Sequence, residues 1–259
     1  MEEVSAKNSK TKSVRLKGDM AIKMTMTGVP ELEGLPIEMK ATTESTISMD
    51  SSALHQIIEM DMSSLDPDAG IMKMEQYMDK EYIYTSIPED GWMKMENPVP
   101  MVFDEEFMAK QLEVSKGLDD LIYYRMLGKE EVEGKETYKI AFYSKIDDIS
   151  KIYESMGTAL DEQTKEALAK SNDLIKFMSM RGIQWVGVED GLAYKADMDI
   201  SMAMKGEGSE GIAMEMAMKA FYCDYDADID IKIPEEAKNA KTMEELMQET
   251  EKNPETPAE

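Results

Sequence analysis

Methionine recurs at every second position in segment after segment of this chain, and that spacing constrains the fold more than any other feature. Met20, Ile22, Met24 and Met26 alternate with Asp19, Ala21, Lys23 and Thr25. Met60 and Met62 alternate with Glu59 and Asp61, and Met72, Met74 and Met78 keep one parity against Lys73, Glu75 and Asp79. Toward the C-terminus, Met198, Ile200, Met202 and Met204 repeat the pattern, as do Met214, Met216 and Met218. A period of two puts alternate side chains on opposite faces of a strand, so these segments read as antiparallel strands with one apolar and one wet face.

The methionines also decide whether the chain folds at all. Leu, Ile, Val and Phe total 48 of 259 residues, and the formal net charge is -25, a balance that by itself points to disorder. The 27 Met supply the missing apolar surface. Turn signals separate the strands: Asp66-Pro67-Asp68-Ala69-Gly70, Pro88-Glu89-Asp90-Gly91, Glu133-Gly134, Asp190-Gly191 and the run 206–211. The period becomes helical in two places, 104–116 and 146–178, where Asp104 is set to cap the first helix and Gly157-Thr158 to divide the second. Residues 1–12 read as a flexible N-terminal linker, 13–240 as one domain, and 241–259 as an acidic C-terminal tail. The expected fold class is α+β: a strongly curved antiparallel sheet of about ten or eleven strands, its concave face covered by the inserted helices. Two packed sheets are the alternative.

Several functions are excluded by charge and composition. A chain this acidic repels phosphate backbones and anionic lipid surfaces, so no nucleic-acid partner is expected. One His (His55) and one Cys (Cys223) leave few donors for a conventional metal site or a nucleophile–base pair, and they allow no intramolecular disulfide. No phosphate-cradling GxxxxGK[ST] and no GxGxxG is present. His55 reads as a strand-end residue and Cys223 as a small inert hydrophobe with no basic neighbour in sequence to activate it. Asp224, Asp226, Asp228, Asp230 and Glu235 match calcium-loop positions, but Ile229 stands where the sharp turn needs Gly. The four Asp therefore read as the wet face of a strand whose other face holds Ile229, Ile231 and Ile233. No catalytic residue, cofactor or metal ligand is assigned, and the chain is expected not to be an enzyme.

Glu81-Tyr82-Ile83-Tyr84 followed by Gly91-Trp92-Met93-Lys94, the hairpin from Tyr124-Arg125-Met126-Leu127-Gly128 through Gly134-Lys135-Glu136-Thr137-Tyr138, and Ile231-Lys232-Ile233-Pro234-Glu235-Glu236-Ala237-Lys238 carry a resemblance. They are similar to segments of uncharacterised Gram-positive lipoproteins that share the half-barrel of periplasmic lipoprotein carriers and mycobacterial lipid-carrier lipoproteins. The resemblance implies a concave sheet and covering helices around a cavity for acyl chains. It also implies a cell-surface, membrane-anchored protein outside the cytoplasm, tethered through a leader and a lipidated Cys. This chain shows neither, and Met1-Glu2-Glu3 reads as a start that follows a removed leader.

Three readings of the Met stripes stay open. Met fills the core of a solid envelope protein that works through its outer surface; or Met lines a cavity for a lipid or other apolar ligand, which its flexible thioether suits; or Met binds copper(I). A copper site would gather sulfurs at one place, whereas the sequence spreads them over most strands. The candidate ligand-binding residues are Met24, Met26, Met60, Met62, Met74, Ile152, Met156, Phe177, Trp185, Met198, Met202 and Met216. Ile152, Met156 and Phe177 are expected on a helical lid, and Trp185 where the helices meet the sheet. The expected partner is a lipid or other apolar small molecule bound by a monomer.

Overall fold

A computed structural model describes residues 11–28, 36–64, 68–87, 91–97, 121–146, 175–205, 211–242 and Glu245. Eleven strands follow one another in sequence: β1 (Ser13–Thr27), β2 (Pro36–Ser48), β3 (Ala53–Asp61), β4 (Ile71–Met78), β5 (Tyr82–Ile87), β6 (Gly91–Glu96), β7 (Ile122–Val132), β8 (Lys135–Ile146), β9 (Ile175–Gly187), β10 (Ala193–Lys205) and β11 (Gly211–Cys223). A four-residue helix, α1 (Glu235–Lys238), and a two-residue strand, β12 (Lys241–Thr242), come last among them. No helix among the described residues is long and apolar enough to cross a membrane.

All twelve strands belong to one open, curved sheet in the order β12-β6-β5-β4-β3-β2-β1-β11-β10-β9-β8-β7. It consists of two antiparallel meanders, β1 to β6 and β7 to β11, joined along β1 and β11, which pair over their whole length from Arg15↔Cys223 to Thr27↔Gly211. The parallel pair is β12 with β6. The single curved, mainly antiparallel sheet agrees with the sequence reading. Of the two expected helices, 104–116 and residues 147–174 of the second lie outside the described residues, while Ile146 closes β8 and residues 175–178 open β9. There the alternation of Met178 and Met180 continues into a ladder with β10, Met178 opposite Met202 and Met180 opposite Ile200, so pairing overrides the helical pattern.

Local chemistry sets the hairpins. Glu133 and Gly134 both take positive φ, 49° and 77°, the two-residue turn whose twist matches that of the flanking strands. At the 187–192 turn, Asp190 accepts the Leu192 N–H at 3.0 Å and the Tyr194 hydroxyl at 2.6 Å.

Beyond β11 the expected strand is absent. After a turn at 224–226, where Asp224 and Asp226 take positive φ of 51° and 57°, residues 227–234 run as a strap outside any ladder, with the side chains of Asp224, Asp226, Asp228 and Asp230 exposed and those of Ile229, Ile231 and Ile233 half-buried. The alternation read from sequence is present, but the strap is held by side chains and single backbone contacts. Arg15 pairs with Asp224 at 3.0 Å, Asp226 accepts the Lys12 N–H at 2.7 Å, and Ser13 Oγ donates to the Ala227 carbonyl at 2.6 Å. Two of the strap's isoleucines, Ile231 and Ile233, then pack on a small core formed by Tyr77, Tyr84 and Ala237 with Tyr82 and Trp92. Thus the C-terminal segment crosses from mid-sheet to the β6 edge, where Lys94 Nζ reaches the Lys238 carbonyl at 2.9 Å.

Candidate functional site

Residues paired directly across an antiparallel ladder share a face, so the register shows where each methionine lies. One row runs Met72, Met60, Ala41, Met20, Met218, Met198, Gly182, Phe142 across eight neighbouring strands from β4 to β8. The row two residues along reads Met39, Ile22, Met216, Ile200, Met180. The next reads Ile37, Met24, Met214, Met202, Met178, Ile146. Met26, Ile212 and Met204 follow. Every residue named in these rows is apolar or Gly; the Met180 row ends against Ser144, and beyond the longest row the same face turns polar at Thr43, Gln56 and Gln184. The methionines among them are neither fully buried nor fully exposed, while their strand neighbours Asp19, Lys23, Glu38, Lys40, Glu59, Glu215 and Lys219 point to solvent on the other side.

Seven of the predicted binding residues meet on this face: Met24, Met26, Met60, Met74, Met198, Met202 and Met216. Met62 lies just past β3, its N–H donating to the Gly70 carbonyl at 2.9 Å. Ile152 and Met156 lie outside the described residues. Two placements are corrected. Phe177 stands opposite Ala203 in β9, on the face away from the methionines, because Met178 takes the apolar side. Trp185 also lies on the polar face, 3% exposed, with Lys195 Nζ 4.2 Å and Lys139 Nζ 5.2 Å from its ring centre. These ammonium groups cover it through cation–π contact. The prediction omitted Met20, Met39, Met72, Met178, Met180, Met204, Met214 and Met218, although most of them share the parity of residues that were chosen.

The polar face carries two contiguous depressions of about 500 and 380 Å3 that share Ala21, Lys40, Asp199 and Ala217. Their floor is strand backbone and small alanines, and their walls include Asp19, Lys219, Asp197 and Arg181. Arg181 Nε donates to Asp199 at 3.1 Å across one wall.

His55 is held in place: Nε2 lies 2.8 Å from Glu75 Oε1, which also accepts the Tyr77 hydroxyl at 2.9 Å, and the imidazole stacks on Tyr77 at 4.4 Å. Burial, then the Glu75 carboxylate, push the Tyr77 phenol up to about 12. Cys223 sits opposite Arg15 on the polar face, its thiol pushed up by burial and by Asp224, the reverse of what a nucleophile needs. Among the described residues no group of three or more His, Cys, Asp or Glu is placed to hold a metal ion.

The chain is therefore an open-sheet protein whose most extensive feature is an apolar, methionine-paved face. It belongs to DUF6612, a family of unknown function whose model matches residues 1–242. No curated protein matches the chain. Among solved structures it is similar to LprF from Mycobacterium bovis, at 10% identity and a TM-score of 0.41, over 91% of this chain and 94% of that one. Lipoprotein LppX from Mycobacterium tuberculosis is similar at 11% identity and a TM-score of 0.41, over 89% of this chain and 99% of its own. A DUF1329 family protein from Desulfovibrio piger follows at 12% identity and a TM-score of 0.28, over 88% and 92%.

Proposed function

We propose that this protein is a non-enzymatic binding protein of the cell envelope that holds or transfers a lipid or other apolar ligand against its methionine face. The observation that supports this reading is the unbroken apolar row from β4 to β8, flanked by parallel rows whose methionines are only half-buried. Thioether chains with three rotatable bonds repack around acyl chains of differing shape. Each methylene removed from water contributes about 0.8 kcal/mol, so a long chain binds without a headgroup contact. The net charge of -25 disfavours anionic headgroups and self-association alike, which fits a monomer tethered outside the cytoplasm as a surface lipoprotein.

Native mass spectrometry of the purified protein, with solvent extraction and lipid analysis of the same sample, tests this directly. A co-purifying fatty acid or glycolipid that is lost from M202D/M216D supports it. If neither the purified protein nor the protein incubated with added lipids carries any, the reading fails. The exposed residues Tyr123 at 72%, Met126 at 55%, Leu127 at 47% and Tyr143 at 44%, on β7 and β8, favour a second reading, an envelope protein that docks other proteins through this edge. Under that reading, Tyr123→Ser with Met126→Ser abolishes partner capture and leaves any lipid uptake unchanged.

A further inference from the structure

We propose that Met214 and Met202, with Met24 or Met178 beside them, form a binding site for a soft monovalent cation, copper(I). These four stand side by side on β1, β11, β10 and β9, the longest uninterrupted methionine row the register creates. Directly opposed residues on neighbouring strands have Cβ atoms about 4.5–5.5 Å apart, within the span of two flexible thioether side chains that share one ion. Met26 and Met204 in the next row, and Met216 and Met180 in the row before, are diagonal neighbours at roughly 7–8 Å. Ile37 and Ile146 close the row at its two ends. A bulge in β9 between Ile175 and Phe177, one step from the row, bends the strand beside it.

The donor set selects the ion. Thioethers are soft ligands suited to copper(I), whereas carboxylates and carbonyls suit hard cations. Among the described residues His, Cys, Asp and Glu do not gather in threes, so no harder site competes there. A leucine in each of these positions would pave the face equally well; sulfur is what distinguishes this row. A thioether also has no proton to lose, so the site holds its metal at acid pH, where imidazole and thiolate sites release theirs. This inference is independent of the lipid reading.

The test uses the full chain carrying Cys223→Ser, since a thiolate is a competing soft donor. Copper(I), kept reduced and buffered by a chromophoric chelator, is titrated with the protein while the chelate absorbance is followed. The expected result is withdrawal of copper(I), an affinity that is flat from about pH 5 to pH 8, and at least a tenfold loss in M202L/M214L, with M95L unchanged. Leucine keeps the apolar volume, so lipid uptake by M202L/M214L separates failure of the metal site from failure of the face. No withdrawal from the chelator, equal affinity in M202L/M214L, or an affinity that collapses as pH falls would overturn the proposal.

Discussion

At the scale of single residues, the sheet depends on a few close approaches. Gly182 lies in the longest apolar row, opposite Met198 on one side and Phe142 on the other. A Cβ there would strike the Asp197 carbonyl and come within 2.6 Å of Phe142 Cζ, so Gly182→Ala is expected to destabilise the protein by about 1–3 kcal/mol, measured by urea unfolding. The methionines differ in exposure, which orders their chemistry. Met126 and Met95, at 55% and 42%, are expected to form sulfoxides before the half-buried ones under dilute hydrogen peroxide, as read by peptide mass mapping. A bound apolar ligand is expected to widen that gap by shielding Met202 and Met216. Parity made the face legible in sequence, because Met24 and Met26 or Met198 and Met202 declare their side by spacing alone. The helical period across 146–178 puts Phe177 on a lid, whereas strand pairing places it in β9; Trp185, expected where helices meet the sheet, is instead buried on the polar face beneath the stems and charges of Lys139 and Lys195.

At the scale of elements, the segment from Asp224 to Pro234 is the informative piece. Its alternating Asp and Ile were legible as an extended segment with one wet face. The absence of a ladder was not, since that depends on β6 and α1 lying at the far edge rather than beside β11. Its anchor, the Tyr77–Tyr84 core, is sensitive to alkali. Burial and the carboxylates of Glu75 and Asp79 raise both phenols above the ordinary value of 10.0, Tyr77 to about 12 and Tyr84 further. A raised pKa means that the fold favours the neutral phenol. The stabilisation is therefore complete below about pH 10 and is lost as pH climbs toward 12 and beyond. The fluorescence of Trp92, whose ring lies 5.8 Å from that of Tyr77, read in a Trp185→Phe background, is expected to change over that interval, and Tyr77→Phe is expected to blunt the effect.

For the whole molecule, the dominant quantity is the excess of 54 acidic over 29 basic residues. The ion pairs on the sheet surface, such as Lys17–Glu44 at 2.8 Å, are exposed and contribute little. Self-repulsion is the larger effect, so the melting temperature is expected to rise as sodium chloride goes from about 0.01 M to about 1 M, where the screening length falls from roughly 30 Å to roughly 3 Å. A chain stabilised mainly by surface pairs would melt earlier instead. The single, mainly antiparallel sheet could be anticipated from sequence because period-two alternation marks most strands, though neither the start of β9 nor the two-residue β12 is marked. Which strands would be neighbours could not, and the dispersal of methionines along the chain concealed how closely the β1–β11 pairing brings them together.

That pairing also orders events in time. Among the described strands every other antiparallel neighbour is the next strand in order, most of them joined by short turns, with the longer 147–174 connection between β8 and β9. Joining β1 to β11 brings Met20 to Met218 across nearly the whole length of the chain, and closing a loop that long is the slow, entropically costly step. The methionine rows acquire their full width only when this seam zips. The methionine face is thus expected to reach its full width last, and a chain interrupted before Gly211 lacks the β11 residues that join its two halves.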